Sequence, residues 1–283
     1  MSKEIHWADL AAENLIKIKD KDSYTCASGI SPSGIVHIGN FREVITTALV
    51  VKALQDKGKK TRFIYSWDDY DVFRKVPANM PKQEILKEYL RKPIIDVPDT
   101  WGCHKSYAEH NEAEFEKDLP GVGIKVEFIQ QSKMYRFCKY AEEMKIALKN
   151  REKIAKILNQ YREEPLESNW YPLSIYCEKC NQDNTNITNY DEDFMVSYKC
   201  NDCSFEDTFD LRKKGISKLQ WRVDWPMRWY YEDVDFEPGG KDHSTTGGSY
   251  STAKEIVKEV WNKNAPYYVM YDFISVKGKG GKI

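Results

Sequence analysis

An α/β fold, built on a parallel sheet and interrupted by a metal-bearing insertion, is predicted by three observations on the sequence. A β-prone run at 23–28 leads through a loop of Gly, Ser and Pro into a long segment with helical spacing; a second β-prone run follows at 61–67; and four cysteines fall into two Cys-x2-Cys pairs in a later stretch of different character. Strand, Gly-bearing loop, helix and strand, in that order, make one mononucleotide-binding unit, so the sheet is expected to be of the Rossmann type.

Each element has its own signal. Over 37–55, Ile38, Phe41, Ile45, Leu49 and Ala53 recur at helical spacing, and Gly58 stands where a helix would stop. The Phe, Ile and Tyr of 61–67 read as a buried strand ending in the acidic cluster Asp68, Asp69 and Asp71. From 93 to 215 the character changes: this stretch holds the Cys and His clusters and a charged segment, 140–158, expected as one long helix whose Tyr140, Met144, Leu148, Ile154 and Leu158 form a core-packing stripe. The aromatic run 221–229, the Gly-rich 239–248, a helix near 252–261 and a strand at 267–275 then resume the α/β pattern. The expected division is a first half of the sheet domain at 1–92, an insertion at 93–215 and a second half at 216–283.

Composition sets outer bounds. With 283 residues, 41% hydrophobic and 13% aromatic, the chain can bury a sizeable core, expected as two packed units. The most apolar run, 44–51, ends at Lys52, far short of a membrane span, so no signal peptide and no membrane segment are expected. A net charge of −1 gives no chain-wide nucleic-acid footprint, and any RNA contact must come from local patches. Seven cysteines, an odd number with two Cys-x2-Cys pairs, suit metal binding in a reducing cytoplasm better than a disulfide framework.

The chemistry begins at the loop. His37 and Asn40, three residues apart at a helix start, share a face of the first turn, where free N–H groups and the helix dipole favour phosphate. Gly39 between them has no side chain to keep a flat adenine off the backbone. Alone, the motif is weak and better fits a surface histidine; its position directly after strand and loop reverses that and favours a triphosphate site. Cys177, Cys180, Cys200 and Cys203, with nineteen residues between the pairs, have the spacing of a zinc ribbon in which two knuckles give four thiolates to one tetrahedral ion. A closed four-thiolate site is structural. Asp99, Cys103, His104 and His110 offer a carboxylate, a thiolate and two imidazoles within twelve residues, an acceptable zinc set, although adjacent Cys103 and His104 need an unusual local turn and ordinary polar residues are the alternative. Cys26 and Cys138 lack such partners and read as buried or silent thiols.

Ala27-Ser-Gly-Ile-Ser-Pro-Ser-Gly34 followed by His37-Ile-Gly-Asn40 resembles the first signature of class I aminoacyl-tRNA synthetases in the form used by lysyl enzymes of archaeal and spirochaete type. Phe63-Ile-Tyr-Ser-Trp-Asp68, Asn169-Trp-Tyr-Pro172, Trp221-Arg-Val-Asp-Trp-Pro-Met-Arg-Trp229 and Tyr271-Asp-Phe-Ile-Ser275 are similar to the same family, so the likeness covers essentially the whole chain. Asn40 replaces the usual closing His of the signature, a departure shared by lysyl enzymes of this class. The second family signature is Lys-x-Ser-Ser-Ser in lysyl members; Lys282 and Ile283 match its first two positions, and the expectation is a catalytic portion cut within that loop, without the helical anticodon-reading domain.

The resemblance implies a reaction and a site. L-lysine would be activated by ATP, with Mg2+, to lysyl-adenylate and passed to tRNA(Lys). His37, Asn40, Lys279 and Lys282 would neutralise phosphate charge, Ser33, His37, Gly39, Asn40, Gly240 and Asp242 would hold ATP, and Gly29, Ser31, Trp221, His243 and Tyr271 would line the lysine pocket. For the terminal lysines a solvated Gly-rich tail is the alternative. A lysine ammonium needs a carboxylate or aromatic face to offset its desolvation, which suits Trp221 and Tyr271 as walls and leaves its acidic partner unassigned. The Asp99 cluster resembles a second zinc site of some archaeal-type lysyl enzymes, and the insertion would by analogy hold the tRNA acceptor end. The competing reading is a non-catalytic ATP- or RNA-binding fragment or paralogue.

Overall fold

A computed structural model describes residues 5–272 and 274 of the chain. Helix α1 (Trp7–Ile18) is capped by His6, whose Nδ1 accepts the Ala8 N–H at 3.3 Å, and it buries Ala8, Ala11, Ala12 and Leu15. No element is expected here from the sequence, although Ala8, Ala11, Ala12 and Leu15 recur at helical spacing.

Strand β1 (Ser23–Ile30), helix α2 (Ile38–Asp56) and strand β2 (Lys60–Trp67) form the expected unit, with β1 and β2 parallel from Ser23 opposite Lys60 to Ile30 opposite Trp67. Gly58, at φ +77°, lets the chain leave α2 through a left-handed turn. The stripe expected on α2 is its buried face only in part: Ala53 is buried and Phe41 and Ile45 pack against the core, but Ile38 and Leu49 are exposed, and Glu43, Val44, Thr46, Thr47, Val50, Val51 and Leu54 are buried. α2 lies between the sheet and α1, so two sides of it are covered and a single stripe does not describe it.

Helices α3 (Gln83–Lys87) and α4 (Tyr107–Glu116), strand β3 (Glu127–Gln130) and helix α5 (Gln131–Arg136) follow, and β3 pairs in parallel with β2. The stretch 93–215 thus supplies an edge strand to the sheet. Over 140–158 there are two helices, α6 (Ala141–Lys149) and α7 (Arg151–Asn159), in place of the one expected. Asn150 separates them, its Nδ2 donating back to the Ile146 carbonyl at 2.9 Å, a local bond that competes with helix continuation. Tyr140, Met144, Leu148, Ile154 and Leu158 are all buried in one apolar cluster, as the stripe predicts.

Strands β4 (Leu173–Ile175), β5 (Thr185–Tyr190), β6 (Met195–Cys200), β7 (Glu206–Asp210) and β8 (Ser217–Leu219) are antiparallel: β5, β6 and β7 form a meander, while β4 pairs with β8. Helix α8 (Trp221–Tyr231) contains Pro226, which removes one backbone donor; burial of Val223, Trp225, Met227 and Trp229 holds the helix regardless. Strand β9 (Val234–Gly240), helix α9 (Ser249–Trp261) and strand β10 (Tyr267–Tyr271) complete the sheet. The strand expected over 267–275 runs to Tyr271; Phe273 and Ser275 lie outside the described residues.

The sheet order is β10-β9-β1-β2-β3, all parallel. α1 and α2 cover one face and α8 and α9 the other, as the two apolar clusters on either side of β1 and β2 record. Strand order reverses between β1 and β9, the crevice where open α/β sheets bind ligands beyond their strand C-termini. No helix among the described residues is long and apolar enough to cross a membrane.

Candidate functional site

A cavity of about 720 Å³ opens at that crevice, lined by the ends of β1 (Gly29, Ser31), β9 (Glu237, Gly239) and β10 (Tyr271), with α8 contributing Trp221 and Trp225. Of the residues expected in an amino-acid pocket, Gly29, Ser31, Trp221, His243 and Tyr271 all line it; of those expected around ATP, Ser33 and Asn40 do. His37, Gly39, Gly240 and Asp242 are not lining residues but are close in sequence to residues that are. Lys279 and Lys282 lie outside the described residues.

At the start of α2, His37 and Asn40 cap one another. The Gly39 N–H donates to His37 Nδ1 at 3.1 Å, and the His37 N–H donates to Asn40 Oδ1 at 3.1 Å. An accepting Nδ1 places the proton of the neutral ring on Nε2, so the pair retains Nε2–H and the Asn40 amide hydrogens as donors at the positive end of a helix. This is chemistry for an anion.

Glycines in the crevice have steric reasons to be there. A Cβ on Gly29 would stand 2.5 Å from the Ser66 carbonyl oxygen on β2, and one on Gly239 would stand 2.5 Å from Tyr268 Oη.

The acids divide into two groups. Asp68 is buried at the end of β2 and pairs with Arg228 at 2.7 Å; Arg228 also reaches Asp224 at 3.3 Å. Asp71 pairs with the buried Lys218, and Tyr135 Oη donates to Asp224 at 2.6 Å. Asp69 accepts the Ser132 N–H at 2.7 Å and the Ser132 hydroxyl, and burial pushes its carboxyl up to about 6. Asp68 and Asp69, at a strand end where such sheets bind ligands, are therefore already engaged, the first by Arg228 and the second by Ser132, and Asp71 is matched by Lys218. Glu43 and Glu237 form the second group. Glu43 is buried on α2 and accepts the Tyr271 hydroxyl; Glu237 is buried on β9 and accepts Trp229 Nε1–H at 2.6 Å. Burial raises Glu43 to about 8 and Glu237 to about 7. Among the described residues neither stands in an ion pair, since the Arg228 guanidinium that helps Glu237 electrostatically is bound to Asp68 and Asp224.

Neither glutamate is among the residues singled out from sequence. The signal existed for Glu43: it precedes Thr47, Val50 and Leu54 at core-facing helical spacing, and a carboxylate on a buried face calls for a partner. For Glu237, inside the buried Val-Asp-Phe-Glu-Pro-Gly-Gly run of β9, only the pairing of strands reveals burial.

Aromatic rings wall the cavity. Trp221 stacks on Trp225 with centroids 5.2 Å apart, and His243 stands 5.5 Å from Trp225, its Nδ1 sharing a hydrogen with Ser249 Oγ at 2.6 Å. Burial lowers the His243 pKa, favouring the neutral ring.

Among the described residues, two clusters could hold a metal ion. Cys177 and Cys180 sit in the turn after β4, Cys200 ends β6 and Cys203 follows it, and their four Sγ atoms converge with Cys177–Cys203 and Cys180–Cys200 both 3.6 Å apart. That is far beyond a disulfide bond of about 2.05 Å. It is close to the edge of about 3.8 Å of a tetrahedron with metal–sulfur bonds of about 2.3 Å. In the second cluster Cys103 Sγ lies 3.1 Å from His110 Nδ1, 3.2 Å from His104 Nδ1 and 3.4 Å from Asp99 Oδ2. The turn that lets adjacent Cys103 and His104 converge is held by Asp99, whose carboxylate accepts the backbone N–H groups of Trp101, Cys103 and His104.

A family model described as tRNA synthetases class I (K) matches residues 5–283. A lysine–tRNA ligase of Borrelia garinii subsp. bavariensis is 57% identical over 99% of this chain and 54% of its own length. Those of Treponema pallidum and Pyrococcus horikoshii are 50% and 48% identical, each over 99% of this chain and 54% and 53% of their own lengths. The chain spans about half the length of the curated relatives it matches.

Proposed function

The chain belongs to the family of class I (K) tRNA synthetases, and on that premise we propose that it is the catalytic part of a lysine–tRNA ligase. It would activate L-lysine with ATP and pass the lysyl group to tRNA(Lys) in the cytoplasm. The observation that carries this reading is the pair Glu43 and Glu237: two buried carboxylates facing an aromatic-walled cavity, with no cation of their own among the described residues. A buried acid without a cation is costly, and a ligand ammonium supplies the missing charge. Glu43, tied to Tyr271, is the acidic partner proposed for the lysine side chain.

The residues then have distinct tasks. The lysine carboxylate, ionised at neutral pH, attacks the α-phosphorus of ATP; a carboxylate O–P bond forms, the bond to the β-phosphate bridging oxygen breaks, and pyrophosphate leaves. No base is needed for this step, so the protein's work is alignment and charge neutralisation. The capped His37–Asn40 pair at the start of α2 supplies donors for the phosphates, with Ser33 and Gly39 beside it. Gly240 and Asp242 would meet the ribose, and Lys279 and Lys282 would add positive charge to the pyrophosphate side. Mg2+ would arrive with ATP as part of the substrate. In the second step a tRNA ribose hydroxyl attacks the lysyl carbonyl and AMP leaves. Trp221, His243, Gly29 and Ser31 would hold the amino acid through both steps.

Zn2+ fits the four-cysteine cluster as a structural ion holding the β5–β7 meander, and a second Zn2+ fits Asp99, Cys103, His104 and His110. The proposed organisation keeps 1–92 and 216–283 as the two parts of the catalytic domain and 93–215 as the insertion on the tRNA acceptor side, with β3 assigned to the sheet.

Lysine-dependent ATP–pyrophosphate exchange tests the reading, with all twenty amino acids screened on this chain and on a chain of the relatives' full length. Exchange with lysine alone in either supports it. Exchange in neither, with ATP still bound, would sink it in favour of a non-catalytic nucleotide- or RNA-binding role.

A further inference from the structure

The loop 31–36 between β1 and α2 carries Ser31 and Ser33 to the cavity, yet among the described residues it makes no backbone–backbone hydrogen bond. Two side-chain bonds tether it: Ser31 Oγ donates to the Asp68 carbonyl at 3.4 Å, and Tyr107 Oη donates to the Ser33 carbonyl at 3.1 Å. The second is the shorter, and it comes from the first residue of α4.

Tyr107 lies in sequence between members of the Asp99, Cys103, His104 and His110 cluster. His104 and His110 lie three residues to either side of it, so the cluster clamps the first turn of α4 at both ends. The Tyr107 N–H donates to the Val97 carbonyl at 2.8 Å, and its ring is fully buried with its edge against Phe73, centroids 5.5 Å apart. Trp101 lies flat on the His110 ring at 4.1 Å. A buried phenol in a turn fixed this way can move its hydroxyl only if the turn moves. A thiolate, two imidazoles and a carboxylate gathered by one ion would fix the side of that turn that faces the cluster; hydrogen bonds within the cluster, the Ser106 cap, the Val97 bond and the buried Tyr107 ring hold the turn besides.

We infer that Tyr107 is a positioning residue through which a zinc-class ion at the Asp99, Cys103, His104 and His110 cluster sets the Ser33 loop, and thereby the affinity for ATP. This rests on the nucleotide reading of the crevice proposed above. The cluster is in this view a structural ion site with an effect at a distance, carried by one side chain whose two ends are both visible.

The test is a double-mutant cycle on the full chain with Cys103→Ser, Tyr107→Phe and the pair, reading metal content, ATP affinity by calorimetry and lysine affinity for each protein, with thermal melts to verify folding. His104→Ala replaces Cys103→Ser if that variant does not fold. Cys103→Ser should lose one metal ion per chain and bind ATP about two- to tenfold more weakly, the range of one hydrogen bond. Tyr107→Phe, which keeps the buried ring, should show the same weakening with its metal retained. The pair should be no weaker than either single variant, because both act through one bond. Additive losses, unchanged ATP affinity after metal loss, an equal fall in lysine affinity, or a wild-type chain without metal at this cluster would each overturn the coupling. Failure of the wild-type chain to bind ATP at all would overturn both the coupling and the nucleotide reading.

Discussion

Glu43→Gln perturbs the site at the point where its charge balance is most exposed to measurement. Burial raises the Glu43 carboxyl to about 8, so at pH 7 roughly one molecule in eleven carries the charge an ammonium ligand needs. Reaching the charged state lowers apparent affinity by that factor of about 11, or ~1.4 kcal/mol. The factor is about 100 at pH 6 and about 2 at pH 8, so lysine should bind about fiftyfold more tightly at pH 8 than at pH 6 and should release close to one proton per molecule at pH 7. Calorimetry in two buffers of different ionisation enthalpy measures both. In Glu43→Gln the Tyr271 hydroxyl keeps an acceptor, but the proton release and pH dependence should largely vanish, and affinity at pH 8 should fall by about ten- to a hundredfold, the worth of a charged hydrogen bond. Stability moves oppositely to binding. A carboxyl whose folded pKa is raised binds more protons folded than unfolded, so the folded state is favoured below the ordinary value of 4.5 and loses that advantage as pH rises to about 8. Glu43→Gln should therefore melt higher than the parent at pH 9. A lysine affinity flat from pH 6 to 8, with no proton released, would refute the assignment of Glu43 to the ammonium.

Three other substitutions probe separate parts of the structure. Cys200→Ser removes one of four converging thiols; metal content should drop by one ion per chain and the 173–219 region should lose protection in hydrogen exchange, whereas unchanged metal content would sink the ribbon. Trp221→Ala removes a cavity wall stacked on Trp225 and should weaken lysine binding by roughly 1–3 kcal/mol while leaving ATP binding intact; equal loss of both ligands would count against a role in the lysine pocket. Gly29→Ala drives a Cβ to 2.5 Å from the Ser66 carbonyl, and the strained β1–β2 contact should cost about 1–3 kcal/mol of stability, visible as a lowered Tm; an unchanged Tm would show that the strands can part freely.

The sequence alone determined the order of the layers and the chemistry of the local clusters, because both are written in short-range patterns. A β-prone run, a Gly and Pro loop and a helix made β1 and α2 legible, and the reciprocal cap of His37 and Asn40 is a contact between residues three apart. The Cys-x2-Cys pairs and the Asp99 to His110 cluster were legible for the same reason: each converges within one turn or one hairpin. The tertiary structure decided what depends on remote partners. Only the sheet order places β9 beside β1 and brings Glu237 into the crevice beside Gly29. Only the packing of α2 between α1 and the sheet buries Glu43 and turns Ile38 and Leu49 outward. Asp68 and Asp69 looked available on a strand end, and the fold gives one to Arg228 and the other to Ser132. Burial and charge pairing are sums over neighbours far apart in the chain, so a residue's type and spacing can announce that it needs a partner, while the fold determines whether that partner comes from the protein or from a ligand.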